Sequence, residues 1–139
     1  MSLNDQIRLA RASPGELVGV DEAMIHDVVH AFYIRIRDDP LLAPVFKQVI
    51  VAGWNPHLAR MCDFWSAVTL TTGRFKGSPI EAHARISEIS SEHFRRWLLL
   101  FSETVTEICP PAAASLFVAK SQVIARSLML GIKLETDTN

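Results

Sequence analysis

The sequence of 139 residues lacks the features that mark several large classes of protein. Its only two cysteines, Cys62 and Cys109, lie far apart, so neither a disulfide framework nor a cysteine-type zinc site is indicated. Unbroken apolar runs reach about five residues, as in Trp97 to Phe101, so no membrane-spanning segment is expected. The N-terminus has no apolar signal-peptide core, which favours a cytoplasmic location.

The chain also has no excess of charge of either sign. Lysine and arginine total 14 against 15 aspartates and glutamates, for a net charge of −1, so no nucleic-acid partner is expected. Hydrophobic residues make up 49% and charged residues 21%, which excludes a disordered chain. The length favours a single domain with one core.

Proline and glycine divide the chain into helices, and no segment has the alternation of a strand. The sequence therefore predicts an all-α protein. Residues 1–20 are expected to form a loosely ordered leader with a break at residues 13–15. Residues 21–132 are expected to form the domain, and residues 133–139 a C-terminal tail.

The first strong helix is predicted from the N-cap Asp21 to just before Pro40. One apolar stripe follows its helical period: Met24, Ile25, Val28, Val29, Phe32 and Ile36. Residues 40–46, rich in proline, are expected to form a short apolar turn. A second helix is predicted from the N-cap Asn55 to Gly73, with one face formed by His57, Met61, Phe64 and Val68.

Three further helices are predicted in the second half of the chain. A short one begins with the capping box that starts at Ser78. The next begins at Ser90 or Ser91, ends at the prolines 110–111, and has the stripe Phe94, Trp97, Leu98, Phe101, Val105 and Ile108. The last extends from about Ala112 to Gly131, with the stripe Leu116, Val123, Ile124 and Leu128.

His26 and His30 share one face of the first helix, at the spacing of the zinc-peptidase motif His-Glu-x-x-His. Asp27 stands where that motif has the longer glutamate, and both histidines fall on the polar flank of the helix. A catalytic zinc also needs a third ligand in a closed pocket. The pattern favours solvated surface histidines over a zinc hydrolase.

A second group of polar side chains lies on apolar helix faces. His83 lies between Ile80 and Ile86, where an imidazole is either a satisfied core residue or an axial ligand for iron. Tyr33, His57 and Trp97 are each explicable as core residues with one polar tip. Together they bring three hydrogen-bonding groups from three helices, which a plain core does not require.

The order of short motifs resembles the truncated haemoglobins, and group III among them. The resemblance covers about residues 21–131. It is carried by the motifs Ala31-Phe32-Tyr33, Pro44-Val45-Phe46, Trp54-Asn-Pro-His57, Asp63-Phe64-Trp65, Glu81-Ala82-His83 and Phe94-Arg-Arg-Trp97-Leu-Leu-Leu-Phe101. The Gly-Gly pairs of the other truncated groups are absent, which suits group III.

The resemblance implies a truncated globin fold, a two-over-two helical sandwich around a b-type haem. The chain has no Cys-x-x-Cys-His motif for a covalent haem. By position, His83 corresponds to the proximal iron ligand. The implied ligand-binding residues on the distal side are Tyr33, His57 and Trp97. The implied haem contacts are Phe46, Met61, Phe64, Trp65, Arg85, Ile86 and Phe94, with Arg85 proposed for the propionates.

The expected function is to bind a diatomic ligand, O₂, NO or CO, at a five-coordinate haem iron. Two donors at about 1.5–3 kcal/mol each would slow O₂ release, which favours O₂ or NO chemistry over transport. NO dioxygenase and peroxidase-like activities are the candidate reactions, and an unidentified reductase is the expected partner. The alternatives are a zinc hydrolase using His26 and His30, and a cofactor-free helical interaction module.

Overall fold

A computed structural model describes residues 2–4, 12–50, 53–77 and 89–137. Across these ranges the regular secondary structure is helical throughout, so the all-α prediction is confirmed. The helices are α1 (Pro14–Leu17), α2 (Glu22–Asp38), α3 (Ala43–Val49), α4 (Trp54–Leu70), α5 (Ser91–Ile108) and α6 (Pro111–Asp137). The predicted short helix that begins at Ser78 lies outside the described residues.

Helix α2 has the predicted bounds. The carboxylate of Asp21 accepts a hydrogen bond from the backbone N–H of Met24 at 2.8 Å, which caps the first turn. The helix ends at Asp38, before Pro40. Its buried face follows the predicted stripe, with Ile25, Val28, Val29, Phe32, Tyr33 and Ile36. The period of apolar residues thus sets which side of α2 enters the core.

The predicted turn at residues 40–46 is wrong in its second half, which belongs to α3. Pro44 lies in the first turn of this helix, where the missing backbone N–H costs nothing. The buried carboxylate of Asp39 accepts hydrogen bonds from the backbone N–H groups of Leu41 and Leu42, at 3.1 and 2.9 Å. These bonds hold the turn from which α3 begins.

Helix α4 begins and ends earlier than predicted. Its N-cap is Gly53, with φ of 98°, and not Asn55. It ends at Leu70 because Thr71 adopts a left-handed conformation, with φ of 56°. Gly73 therefore follows the helix end and does not cause it.

Helix α5 begins after Ser90, as predicted. Most of the predicted stripe of α6 faces the core, since Leu128 is buried and Leu116 and Ile124 are half-buried, while Val123 is exposed. Val123 of α6 is 60% exposed, whereas Phe117 and Ala125 are buried. The buried face of α6 thus combines large side chains, Phe117 and Leu128, with small ones such as Ala113 and Ala125. The helix also continues beyond the predicted end at Gly131.

The helices form two packed layers. Helix α2 packs against both α4 and α5, and α5 packs against α6. The largest fully buried side chains are Phe32, Phe101 and Phe117, which come from α2, α5 and α6. The core therefore lies where these three helices meet, and α4 covers it on one side.

Part of the predicted leader contributes to this core. Ser13 is buried, and its hydroxyl accepts from the backbone N–H of Glu16 at 3.3 Å, so residues 13–15 begin a helical turn where a break is predicted. Gly15 lies so close to α4 that a Cβ there would be 2.6 Å from the carbonyl oxygen of Thr69. Val20 is only 3% exposed.

One stretch of α6, Pro111–Gly131, is long and apolar enough by length and composition to cross a membrane. Lys120 and Arg126 lie within this stretch, so it contains no long unbroken apolar run. Of this stretch, 33% is buried inside the fold, and core helices commonly have the same composition.

Candidate functional site

Tyr33 and His57 meet across the interface of α2 and α4. Tyr33 is 5% exposed, on the inner face of α2. His57 lies in the first turn of α4, and the two ring centroids are 4.9 Å apart with the planes at 86°. Burial raises the pKa of the Tyr33 phenol, so this group stays protonated at neutral pH. The pair places a phenol O–H beside an imidazole.

Two more aromatic rings complete what we call the Tyr33 cluster: Tyr33, Phe46, Trp54 and His57. The Phe46 ring lies 5.8 Å from that of Tyr33, and Trp54 lies 6.0 Å from Tyr33 and 6.2 Å from His57. These are ordinary distances for packed aromatic rings. The cluster joins α2, α3 and α4 at one end of the sandwich.

Trp97 reaches the same region through Phe32. The Phe32 ring meets Tyr33 edge-on at 5.2 Å and Trp97 edge-on at 5.5 Å. Trp97 is half-buried and stacks on Phe101 at 5.5 Å, with the planes 3° apart. The structure thus brings the three predicted ligand-binding residues to one region, with Phe32 between two of them.

The remaining predicted haem contacts lie in different surroundings. Met61 and Phe64 are half-buried beside the core, on the helix that carries His57. Trp65 is 2% exposed and stacks on Phe101 at 4.8 Å, inside the core. Phe94 is buried in a smaller cluster on α5 and α6. The haem-contact roles of all four residues stay predictions.

Three predicted site residues, His83, Arg85 and Ile86, lie outside the described residues. The roles of His83 as axial iron ligand and of Arg85 at the propionates therefore stay predictions.

His26 and His30 lie at the surface of α2. Their rings stack at 3.9 Å, and Nδ1 of His30 lies 2.8 Å from the backbone oxygen of His26. His26 is exposed. Among the residues that the structure describes, no three histidine, cysteine or acidic side chains form a group able to hold a metal ion. The geometry gives the zinc hydrolase no third ligand within this part of the chain.

An ion pair beside Trp97 has no sequence signal. The Arg96 guanidinium donates to the buried Asp39 carboxylate at 2.7 Å, linking the end of α2 to α5. Burial alone would raise the pKa of Asp39, but the hydrogen bond from Arg96 and those from the backbone outweigh it and lower the pKa. This pair fixes the position of α5 one residue before Trp97.

Trp54 and Phe75 are aromatic residues near the site that the sequence reasoning leaves without a role. Trp54 lies three residues before His57, so the helical period places both on neighbouring positions of one face. Phe75 follows the end of α4 and packs against Phe64 at 5.1 Å. Only the spacing of Trp54 could have indicated its place.

Comparisons with known proteins agree with the fold. No protein-family model matches the chain. The group 3 truncated hemoglobin Ctb of Campylobacter jejuni is 27% identical over 109 residues, which cover 76% of this chain and 86% of that protein. The crystal structure of a group III truncated hemoglobin from Campylobacter jejuni superposes with a TM-score of 0.75 at 26% identity, covering 78% of this chain and 88% of the other. The resemblance to the truncated haemoglobins, and to group III among them, is thereby confirmed in both sequence and fold.

Proposed function

We propose that the protein is a globin-type haem protein that holds haem b with His83 as the axial ligand and binds a diatomic ligand on the side of Tyr33. Its relatives are named as truncated haemoglobins, which supports a globin-type haem protein. The observation that carries the proposal is the pairing of the buried Tyr33 with the half-buried His57, because these side chains come from two helices and their rings meet at 4.9 Å.

The described residues fit a porphyrin. A haem needs an apolar surface to cover its ring and few polar groups above its iron. The half-buried apolar side chains packed beside the core supply such a surface, and they include Phe46, Leu58, Met61, Phe64, Val68 and Trp97. These half-buried groups are concentrated on α4, with Phe46 from α3 and Trp97 from α5, an arrangement that an apolar cofactor would complete.

When bound, haem supplies an iron with one open position for a diatomic ligand. The chain's own groups then determine how firmly the ligand is held. The protonated phenol of Tyr33 and the indole N–H of Trp97 would donate hydrogen bonds to it, and His57, at the start of α4, would act as a gate or as a secondary polar group. Hydrogen bonds to a partly charged acceptor contribute about 1.5–3 kcal/mol each.

Two such donors would make O₂ release slow. A total of about 3–6 kcal/mol corresponds to two to four powers of ten in an equilibrium constant. A carrier needs faster release, so we propose O₂ or NO chemistry in place of transport, with NO dioxygenase and peroxidase-like activities as the candidate reactions. A cytoplasmic location and an electron-donating reductase complete the proposal.

A haem titration tests this function. Haemin added to the isolated protein should give a Soret band that saturates at one haem per chain. His83→Gly should lose this band and regain it when imidazole is added, whereas His26→Gly, the same change at an exposed histidine of α2, should keep it. A wild-type protein that takes up no haem would refute the proposal. Full occupancy in His83→Gly without imidazole would remove His83 from the role.

A further inference from the structure

A surface groove adjoins the Tyr33 cluster. It has a volume of about 440 Å³ and is lined by Ile34, Arg37, Asp38, Ala43, Lys47 and Trp54. These residues come from α2, α3 and the start of α4. The groove is far larger than a diatomic molecule.

Trp54 belongs both to this groove and to the Tyr33 cluster. It lines the groove, and its ring also meets those of Tyr33 and His57 at about 6 Å. The side chain is half-buried at the very start of α4, directly after Gly53. Its ring therefore borders both the groove and the side chains of Tyr33, which is buried, and His57, which is half-buried.

The guanidinium group of Arg37 holds the Trp54 ring in place. The guanidinium carbon of Arg37 lies 4.8 Å from the centroid of the Trp54 ring, a cation–π contact. Arg37 is exposed and also lines the groove. The contact crosses from α2 to α4, so it links the first turn of α4 to the C-terminal end of α2.

We infer that the Trp54 side chain is a gate that controls the passage of small ligands from the groove to the side of Tyr33. Its contact with Arg37 holds this gate closed. When the indole of Trp54 is in place, it separates the groove from Tyr33 and His57. When the Arg37 contact breaks, the indole can swing into the groove, which has room for it. Trp54 and Arg37 are thus positioning residues that control access, and this inference rests on the proposed function.

A change in a gating residue has a kinetic signature that a change in a ligand-binding residue lacks. It alters the association and dissociation rate constants by the same factor and leaves the affinity unaltered. An exposed cation–π contact corresponds to about a two- to fivefold change in an equilibrium. Arg37→Gln should therefore raise both CO rates of the reduced, haem-loaded protein by about that factor, measured by flash photolysis and by ligand displacement. Arg37→Lys, which keeps the cation, should restore the slower rates in part.

The contact between Arg37 and Trp54 can also be observed without any ligand. The chain has three tryptophans, so protein labelled with 5-fluorotryptophan should give three fluorine NMR signals, with that of Trp54 identified by its loss in Trp54→Phe. Arg37→Gln should shift the Trp54 signal and leave the other two in place. Arg126→Gln, the same change on the exposed side of α6, should alter neither the signals nor the CO rates.

Each other result counts against the inference. Unchanged CO rates in Arg37→Gln would refute the gating role of Trp54 even if the Trp54 signal moves. The proposed haem function would not be affected by that result. A change in CO affinity with only one rate altered would show that Trp54 holds ligand and does not admit it. A protein that binds no haem, as read from the Soret band alone, would refute both the proposed function and the gating role of Trp54.

Discussion

Replacing Tyr33 with phenylalanine removes one hydroxyl group from the centre of the proposed site. The ring contacts of Tyr33 with Phe32, Phe46 and His57, at 5.2, 5.8 and 4.9 Å, need only the aromatic ring, which phenylalanine keeps. The substitution therefore changes hydrogen bonding and leaves the packing nearly intact. Thermal stability should stay close to that of the wild type.

The loss of this donor should speed O₂ release. Because burial raises the pKa of Tyr33, the wild-type phenol remains a donor throughout the neutral range. A donor to a partly charged acceptor contributes about 1.5–3 kcal/mol, which is about a ten- to hundredfold faster dissociation in Tyr33→Phe. Stopped-flow mixing of the O₂-loaded protein with excess CO measures this rate.

Trp97→Phe and the double variant test whether the two donors act together. Both residues pack on Phe32, so removal of one donor should let the other readjust, with a coupling of about 0.5–3 kcal/mol. CO release should change less, because CO carries less negative charge. An O₂ dissociation rate unaltered in Tyr33→Phe would refute the donor role and the preference for O₂ chemistry over transport.

Three further predictions concern stability and the surface histidines. Asp39→Asn should cost about 1–3 kcal/mol at neutral pH by urea unfolding, because it weakens the buried pair with Arg96. Since the folded state lowers the Asp39 pKa, this contribution exists above about pH 4 and is lost on further acidification, so the variant should lose less stability there than the wild type. Gly15→Ala should cost about 1–3 kcal/mol through the clash with the α4 backbone, and an unchanged urea midpoint would contradict the close approach. Replacing both His26 and His30 with glutamine should leave haem uptake unchanged and stability within about 0.5 kcal/mol, whereas a loss of bound zinc with activity would revive the hydrolase.

Apolar periodicity was sufficient to predict the helices that bury one continuous stripe. Helix α2 is the clearest case, since the apolar residues from Ile25 to Ile36 recur at helical spacing and a capping aspartate precedes them. The same reasoning identifies only part of the buried face of α6, because Val123 is exposed and alanine and serine side chains are also buried there. The prolines of residues 40–46 predict a short turn, whereas Pro44 lies in the first turn of α3, a position that a helix tolerates.

The candidate site was predictable in its members and not in its geometry. Polar tips on apolar faces identify Tyr33, His57 and Trp97 as a possible group, but only the crossing of α2 over α4 and α5 determines which rings meet. The pairing of Asp39 with Arg96, 57 positions apart, has no local pattern at all. The Trp54 ring is placed by its contact with Arg37, which depends on the packing of α2 against α4.

The distance between the two donors, Tyr33 and Trp97, depends on Phe32, a residue of the core. Phe32 is 1% exposed, and its ring contacts those of both Tyr33 and Trp97, at 5.2 and 5.5 Å. A smaller side chain at this position would let the phenol and the indole move closer without altering either of them. Sequence divergence at a residue with no polar atom in its side chain can therefore tune how two helices share a ligand, and directed variation of Phe32 offers a route to adjust ligand affinity in small steps.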